Sequence, residues 1–284
     1  MTSEAVGRLA ADARGPGRRA TSPGRLFLRR FWRHRLAVAS GTVLVLLALA
    51  SLAAPLIAAV AGHDPNAVDL LGRFAPPDRV HPLGTDELGR DLLLRLLYGG
   101  QVSLFVGLVG ALAAAGLGTM IGLVAGYLGG RTDALLMRLT DAVIALPLLP
   151  LLIVLAAVDL TKLGIPEDLA RSESASLYRI LLIVVLAGWT TVARLVRGAT
   201  LSVRERDFIR AAVAQGAGPL RIMLRHVLPN VVSPIIVATT LSIGNVILIE
   251  SVLSFLGLGI QPPLPSWGNM LTNAQELIWQ APAL

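Results

Sequence analysis

The sequence predicts an all-α integral membrane protein made of a bundle of membrane-spanning helices. Apolar residues make up 54% of the 284 residues and charged residues only 15%, and the mean hydropathy is +0.69. These values lie far from those of soluble globular domains. Five apolar runs are each long enough to cross a hydrocarbon core, which takes about 20 helical residues.

The N-terminal part contains a polar tail followed by a basic, aromatic stretch. Residues 1–24 are rich in Gly, Ala, Arg, Ser and Pro without helical periodicity, which predicts a disordered cytoplasmic tail. Residues 25–35 interleave Arg with Phe27, Phe31 and Trp32. Such a composition can bind nucleic acid, but its place directly before a span favours an interfacial helix at anionic headgroups.

The first span is predicted at residues 36–60, and a hydrophilic, net acidic extracytoplasmic segment follows to residue 100, so that residues 25–100 form one region. Residues 81–91 offer His, Asp and Glu close together, which could indicate a metal or acid–base site. We favour a structural interpretation, in which a turn at residues 82–84 precedes a helix over 86–98. Thr85 or Asp86 would cap that helix.

The second span, residues 102–128, carries small residues at every fourth position. Small residues on one stripe allow close approach of helix backbones inside lipid. The stripe therefore predicts a helix-packing face, formed by Gly110, Ala114, Gly118, Gly122, Gly126 and Gly130.

The remaining spans are predicted at residues 134–158, 177–196 and 231–258, and they contain polar groups. Pro147 and Pro150 should kink the third span, where Asp141 can pair with Arg138 on the same face. Polar and ionisable groups within membrane spans are by default candidates for function. Asp141, Asn245 and Glu250 are therefore candidates for a translocation path, although Ser251, Ser254 or another helix could satisfy Glu250 structurally.

Between the last two spans lies a basic segment, residues 203–229, that predicts a helix-turn-helix elbow. Residues 203–214 can form a helix, Gly216 and Gly218 a turn that tolerates positive φ, and Pro219 the first turn of a second helix that stops before Pro229. The elbow would have an apolar side with Leu220, Met223, Leu224 and Val227, and a basic side with Arg210, Arg221 and Arg225.

The charge distribution predicts the topology of the bundle. The net charge is +7, and nearly all the positive charge is carried by Arg, since Lys162 is the only lysine. Basic residues concentrate on cytoplasmic segments of membrane proteins. An N-terminus in the cytoplasm satisfies this rule and places the elbow on the cytoplasmic side, where it could dock into a groove on a partner.

Three motifs in order resemble one known family. The elbow resembles the signature loop of ABC importer permeases, Glu-Ala-Ala, three residues, Gly, and later Leu-Pro. The matching residues are Arg210, Ala211, Ala212, Gly216, Leu228 and Pro229, with Arg210 in place of the Glu. The other two motifs are residues 81–91 and residues 253–263. Taken together, the three motifs make the chain from about residue 25 onwards resemble the C-type permease subunit of dipeptide, oligopeptide and nickel ABC importers.

This resemblance implies a type I ABC importer transmembrane bundle, with residues 101–284 as the ABC type-1 transmembrane domain. The chain would be a permease subunit in the bacterial inner membrane and form half of a path for peptides or related small solutes. Its implied partners are a B-type permease, one or two ATPase subunits that carry ATP and Mg, and an extracytoplasmic binding protein. Closure of the ATPases would push on residues 211–216 and rock the spans between inward-open and outward-open states.

Relatives in this family carry a sixth span, so we expect that the sequence, which stops at Leu284, is truncated. No ATP-binding loop, catalytic set or cofactor motif is present, so the chain itself is expected to be neither an enzyme nor a cofactor or nucleic-acid binder. Alternatives are a secondary transporter or channel that uses Glu250 and Asp141, and a non-transporting membrane scaffold.

Overall fold

The computed structural model describes residues 29, 31–158, 160–163, 166–170, 173–272 and 279. The predicted tail, residues 1–24, lies outside them. The described residues divide into two units, one up to residue 47 and one from residue 48 onwards. Among the described residues there is no β-strand, and four helices are long and apolar enough to cross a membrane, or up to five with one bent helix pair. The prediction of an all-helical membrane bundle is confirmed.

The first span is two helices rather than one. Helix α1 covers Arg35–Leu52 and α2 covers Ala54–Ala61, where Gly62 ends it with φ +72°. Pro55 lacks an N–H group and so leaves the Ser51 carbonyl without its helical donor. The Gln101 side chain donates to that carbonyl at 2.7 Å. The break is thus tolerated because a neighbouring helix satisfies the freed group.

The hydrophilic segment after the first span folds into a compact loop that uses the side chains of residues 81–91 internally. The Thr85 hydroxyl accepts from the Ala75 N–H at 2.8 Å, and the Asp86 carboxylate accepts from the Arg90 N–H and Nε–H groups. Backbone N–H donors of His81 and Val80 lower the pKa of the Asp78 carboxyl. The described residues contain no cluster of three or more potential metal ligands.

The helix after this loop begins later than predicted. Helix α3 covers Leu92–Leu128, and its N-cap is Asp91, which accepts from the Leu94 N–H at 2.8 Å and contacts His81 Nδ1 at 2.9 Å. The predicted caps, Thr85 and Asp86, are wrong because the loop already occupies their side-chain oxygens. The same helix continues into the second span without a break.

The third span is bent by 87° between α4, Gly130–Ala145, and α5, Leu148–Ala157. Leu146 precedes Pro147 and is extended, with φ −74° and ψ 133°, as expected for a residue before proline. Pro150 lies in the first turn of α5, where its missing N–H has no helical acceptor, and it causes no second break. Pro147 therefore causes the bend, and Pro150 does not contribute to it.

The other elements complete the bundle around α3. A short helix α6, Glu167–Ala170, precedes the long helix α7, Glu173–Arg204, which packs most extensively on α3. The elbow contains α8, Asp207–Ala214, and α9, Pro219–Ile222, and the last span is α10, Leu228–Phe255. Residues 256–272 then fold back against the ends of α3 and α10, where Gly99 and Gly268 allow close backbone contact.

Candidate functional site

The elbow turns at a single glycine. Gly216 has φ +81°, in the left-handed region that favours glycine, whereas Gly218 has φ −70° and is extended. Pro219 occupies the first turn of α9. The sequence singled out both glycines, but only Gly216 has a backbone conformation that favours glycine.

The second helix of the elbow does not stop before Pro229, as the sequence predicted, but continues into the last span. Met223–Val227 form a π turn that joins α9 to α10, in which the Leu228 N–H donates to the Met223 carbonyl. Pro229 offers no N–H, and the wider turn accommodates its ring within the helix. The elbow is therefore continuous with α10 through this π turn.

The inner side of the elbow is anchored to the bundle. Ile209, Ala212, Ile222 and Val227 are all buried, with Val227 at 0% exposure. Three of them belong to a hydrophobic cluster shared with α3, α7 and α10. The elbow is therefore tied to the bundle by apolar packing and not only by the chain.

The outer side of the elbow leaves large apolar side chains uncovered. Leu220 is 66% and Leu224 54% exposed, although the sequence analysis placed both on one side with Val227. Arg210 is also exposed, and its Nη2 atom lies 3.7 Å from Oε2 of Glu205. The outer side is thus an apolar and basic surface, which we call the docking surface, formed by Phe208, Arg210, Val213, Leu220 and Leu224.

A second feature is a cavity of about 770 Å³ between α3, α4, α5, α7 and α10. Its wall is mostly aliphatic, and the bend at Pro147 borders it through Leu146 and Leu148. The described residues that line it include no charged side chain. Its polar groups are hydroxyls and one amide, from Thr190, Thr191, Ser233, Ser242 and Asn245.

The structure separates the three candidates for a translocation path. Asn245 lines the cavity, whereas Asp141 and Glu250 do not. Asp141 contacts Arg194 on α7, with Oδ1 2.5 Å from Nη2, and not the predicted partner Arg138. The sequence analysis did not single out Arg194 or the Thr190–Thr191 pair, although adjacent hydroxyls in an apolar run are a usable signal.

Glu250 lies at a buried junction of three segments. It is 0% exposed, and its carboxylate accepts from Ser103 Oγ of α3 at 3.0 Å and from Ser254 Oγ at 2.7 Å. These hydroxyls in turn accept from the backbone N–H groups of Trp267 and Ile260. The carboxylate therefore connects α3, α10 and residues 256–272.

The glycine stripe of α3 faces α7. A Cβ at Gly118 would lie 2.4 Å from the Trp189 carbonyl oxygen, and one at Gly122 would lie 2.6 Å from that of Ala193. Gly126 makes a similarly close approach to Thr200. Gly130 does not take part: it begins α4 with φ +54°, and nothing lies within 4 Å of its Cβ position.

We expect Gly122→Ala to lower the thermal denaturation midpoint of the detergent-solubilised protein by about 5 °C, because overpacking costs about 1–3 kcal/mol. Gly116→Ala is the matched control, since the same helix leaves open space at that position. Alanine there should preserve or raise the midpoint. Equal losses in both variants would contradict close packing at Gly122.

Comparison with known proteins identifies two matching families. Residues 118–284 match the family described as "Binding-protein-dependent transport system inner membrane component". Residues 22–77 match the "N-terminal TM domain of oligopeptide transport permease C". Together these matches include the elbow, the first span and four of the five helices around the cavity in full.

Curated relatives align over most of the chain. The chain is 38% identical to the probable D,D-dipeptide transport system permease protein DdpC of Escherichia coli, over 86% of this chain and 76% of that protein. It is 33% identical to the oligopeptide transport system permease protein OppC of Bacillus subtilis, over 93% of this chain and 81% of that protein. It is 36% identical to the dipeptide transport system permease protein DppC of Alkalihalophilus pseudofirmus, over 93% of this chain and 81% of that protein.

Proposed function

The chain belongs to the family of binding-protein-dependent transport system inner membrane components, and we propose that it forms half of the path of a peptide importer. The family consists of permease subunits with the type I ABC importer fold, and the chain is a multi-pass inner membrane protein of a multi-subunit transport system. The proposed substrates are dipeptides, oligopeptides or related small solutes. The names of the relatives and the uncharged, hydroxyl-bearing cavity support this choice.

We propose that the docking surface couples this chain to a cytoplasmic ATPase, which would bind ATP and Mg. This proposal rests on one observation: the elbow has apolar residues on two opposite sides. Its inner side is buried in the bundle, and its outer side exposes Leu220 and Leu224 among arginines. Exposed apolar residues rimmed by polar groups mark protein interaction sites.

The charge distribution supports an N-terminus in the cytoplasm. In that orientation the docking surface would face the proposed ATPase. Closure of the ATPases would displace α8 and α9, and the π turn would pass the displacement to α10, which lines the cavity. Further proposed partners are a B-type permease that completes the path and an extracytoplasmic protein that delivers the solute.

The test is affinity purification of the tagged chain from its native membrane, with mass spectrometry of its partners and an ATPase assay. We expect Leu220→Glu to reduce the recovered ATPase about tenfold or more, because the charge would enter an apolar interface. Leu71→Glu is the control, since Leu71 is fully exposed in the extracytoplasmic segment. Unchanged recovery with Leu220→Glu, or uptake driven by a proton gradient without ATP, would overturn the proposal.

A further inference from the structure

Helices α4 and α7 each carry a charged residue beside the lining residues at one end of the cavity. On α7, Arg194 lies between the lining residues Thr191 and Leu195, and on α4, Asp141 lies three residues before the lining residue Ile144. Residues three apart share a face of a helix. Arg194 Nη2 donates to Asp141 Oδ1 at 2.5 Å, so an ion pair bridges the two helices at the edge of the cavity.

This edge is the one closer to the elbow. Helix α7 runs from Thr191 through Arg194 to Arg204, and α8 follows directly. The start of α4 lies at the same end, since Arg204 Nη1 donates to the Gly126 carbonyl at 3.0 Å, just before the turn into α4. The ion pair therefore lies at the elbow-side end of the cavity.

The exposure of the ion pair indicates what it faces. Asp141 is 60% and Arg194 50% exposed, although both lie on helices of the membrane bundle. Charged groups in such helices do not face lipid, but instead face water-filled spaces or other protein groups. Because both residues lie within one turn of cavity-lining positions, water at the end of the cavity accounts for the exposure of the pair.

We propose that the Asp141–Arg194 ion pair is a gate at the elbow-side end of the cavity, closed when the pair is formed and opened when it separates. This inference rests on the proposed function, in which the cavity is half of the translocation path. Half-exposed ion pairs are weak. A weak contact suits a gate that must break and re-form in every transport cycle.

A second ion pair between the same helices provides a contrast. Arg197 binds both carboxylate oxygens of Asp133, with N–O distances of 2.5 and 2.6 Å, and Asp133 is only 17% exposed. On α4 no residue within one turn of Asp133 lines the cavity. The Asp133–Arg197 pair therefore connects the same helices farther from the cavity on α4, and its loss serves as the matched control.

The test measures access to the cavity from the elbow side. The chain contains no cysteine, so Ser242→Cys introduces a single thiol into the cavity wall. Inside-out vesicles that contain the whole complex are treated with the membrane-impermeant reagent (2-sulfonatoethyl) methanethiosulfonate, and labelling of this chain is followed by mass. Ser202 is exposed near the end of α7. A separate Ser202→Cys variant therefore reports how readily the reagent reaches the protein outside the gate.

We expect Asp141→Asn to accelerate labelling of Ser242→Cys roughly two- to fivefold, which corresponds to the contribution of a half-exposed ion pair. Asp133→Asn should leave the rate unchanged, and the exchange Asp141→Arg with Arg194→Asp should restore slow labelling. High salt should accelerate labelling with Asp141 present but not with Asp141→Asn, because salt screens the pair.

Two negative results are distinguishable. Equal labelling with and without Asp141→Asn, at an unchanged Ser202→Cys rate, would overturn the gate and leave the cavity as a path. No labelling of Ser242→Cys from either side of the membrane, in a complex that retains its ATPase, would overturn the cavity as a path and the gate with it.

Discussion

Gly216→Val should reduce ATP-driven uptake by reconstituted complexes about tenfold, at normal expression. Gly216 has φ +81°, and a residue with a side chain pays about 1–2 kcal/mol in this left-handed conformation. A barrier increase of about 1.4 kcal/mol lowers a rate tenfold. To avoid this strain the turn would change its backbone conformation and displace α8 from α9, which misplaces the docking surface.

Gly218→Val is the matched control for this variant. Neither glycine has an atom within 4 Å of its Cβ position, so sterics do not distinguish the two sites. Gly218 is extended, with φ −70° and ψ 159°, a conformation that valine adopts readily. Uptake should be near normal with Gly218→Val. Equal losses in both variants, or normal uptake with Gly216→Val, would refute the coupling role of the turn.

Glu250→Gln should destabilise the protein even though it preserves the size of the side chain. Ser103 and Ser254 both donate to the carboxylate and also accept from backbone N–H groups. An amide nitrogen in place of either oxygen leaves one serine hydroxyl proton without an acceptor. A buried unsatisfied polar group costs about 1–3 kcal/mol.

The measurement is the thermal denaturation midpoint in detergent, which we expect to fall by about 5 °C with Glu250→Gln and further with Glu250→Ala. Glu205→Gln removes an exposed carboxylate on the elbow and should shift the midpoint by less than about 1 °C. A midpoint unchanged by Glu250→Gln would mean that the junction does not depend on the carboxylate.

The sequence predicted most of the helical elements because hydropathy and turn chemistry are local properties. It also located the elbow, the left-handed turn at Gly216 and the helix start at Pro219. It could not separate Pro147 from Pro150, since the effect of a proline depends on its position within the helix that finally forms. For the same reason it placed a helix end before Pro229, where a π turn instead allows the helix to continue.

The sequence by itself determined the class of membrane bundle, the order of the spans and the motifs of a permease subunit. Only the tertiary structure decided the partners of the polar groups. Asp141 pairs with a residue 53 positions away, and Glu250 accepts from Ser103, which is 147 positions away. Local spacing suggested Arg138 for Asp141. For Glu250 it offered Ser251, Ser254 or another helix, and of these Ser254 and Ser103 on α3 donate to the carboxylate. The packing of α3, α4, α7 and α10 sets these distances, because inside a membrane a charged side chain must find its partner on whichever helix lies against it.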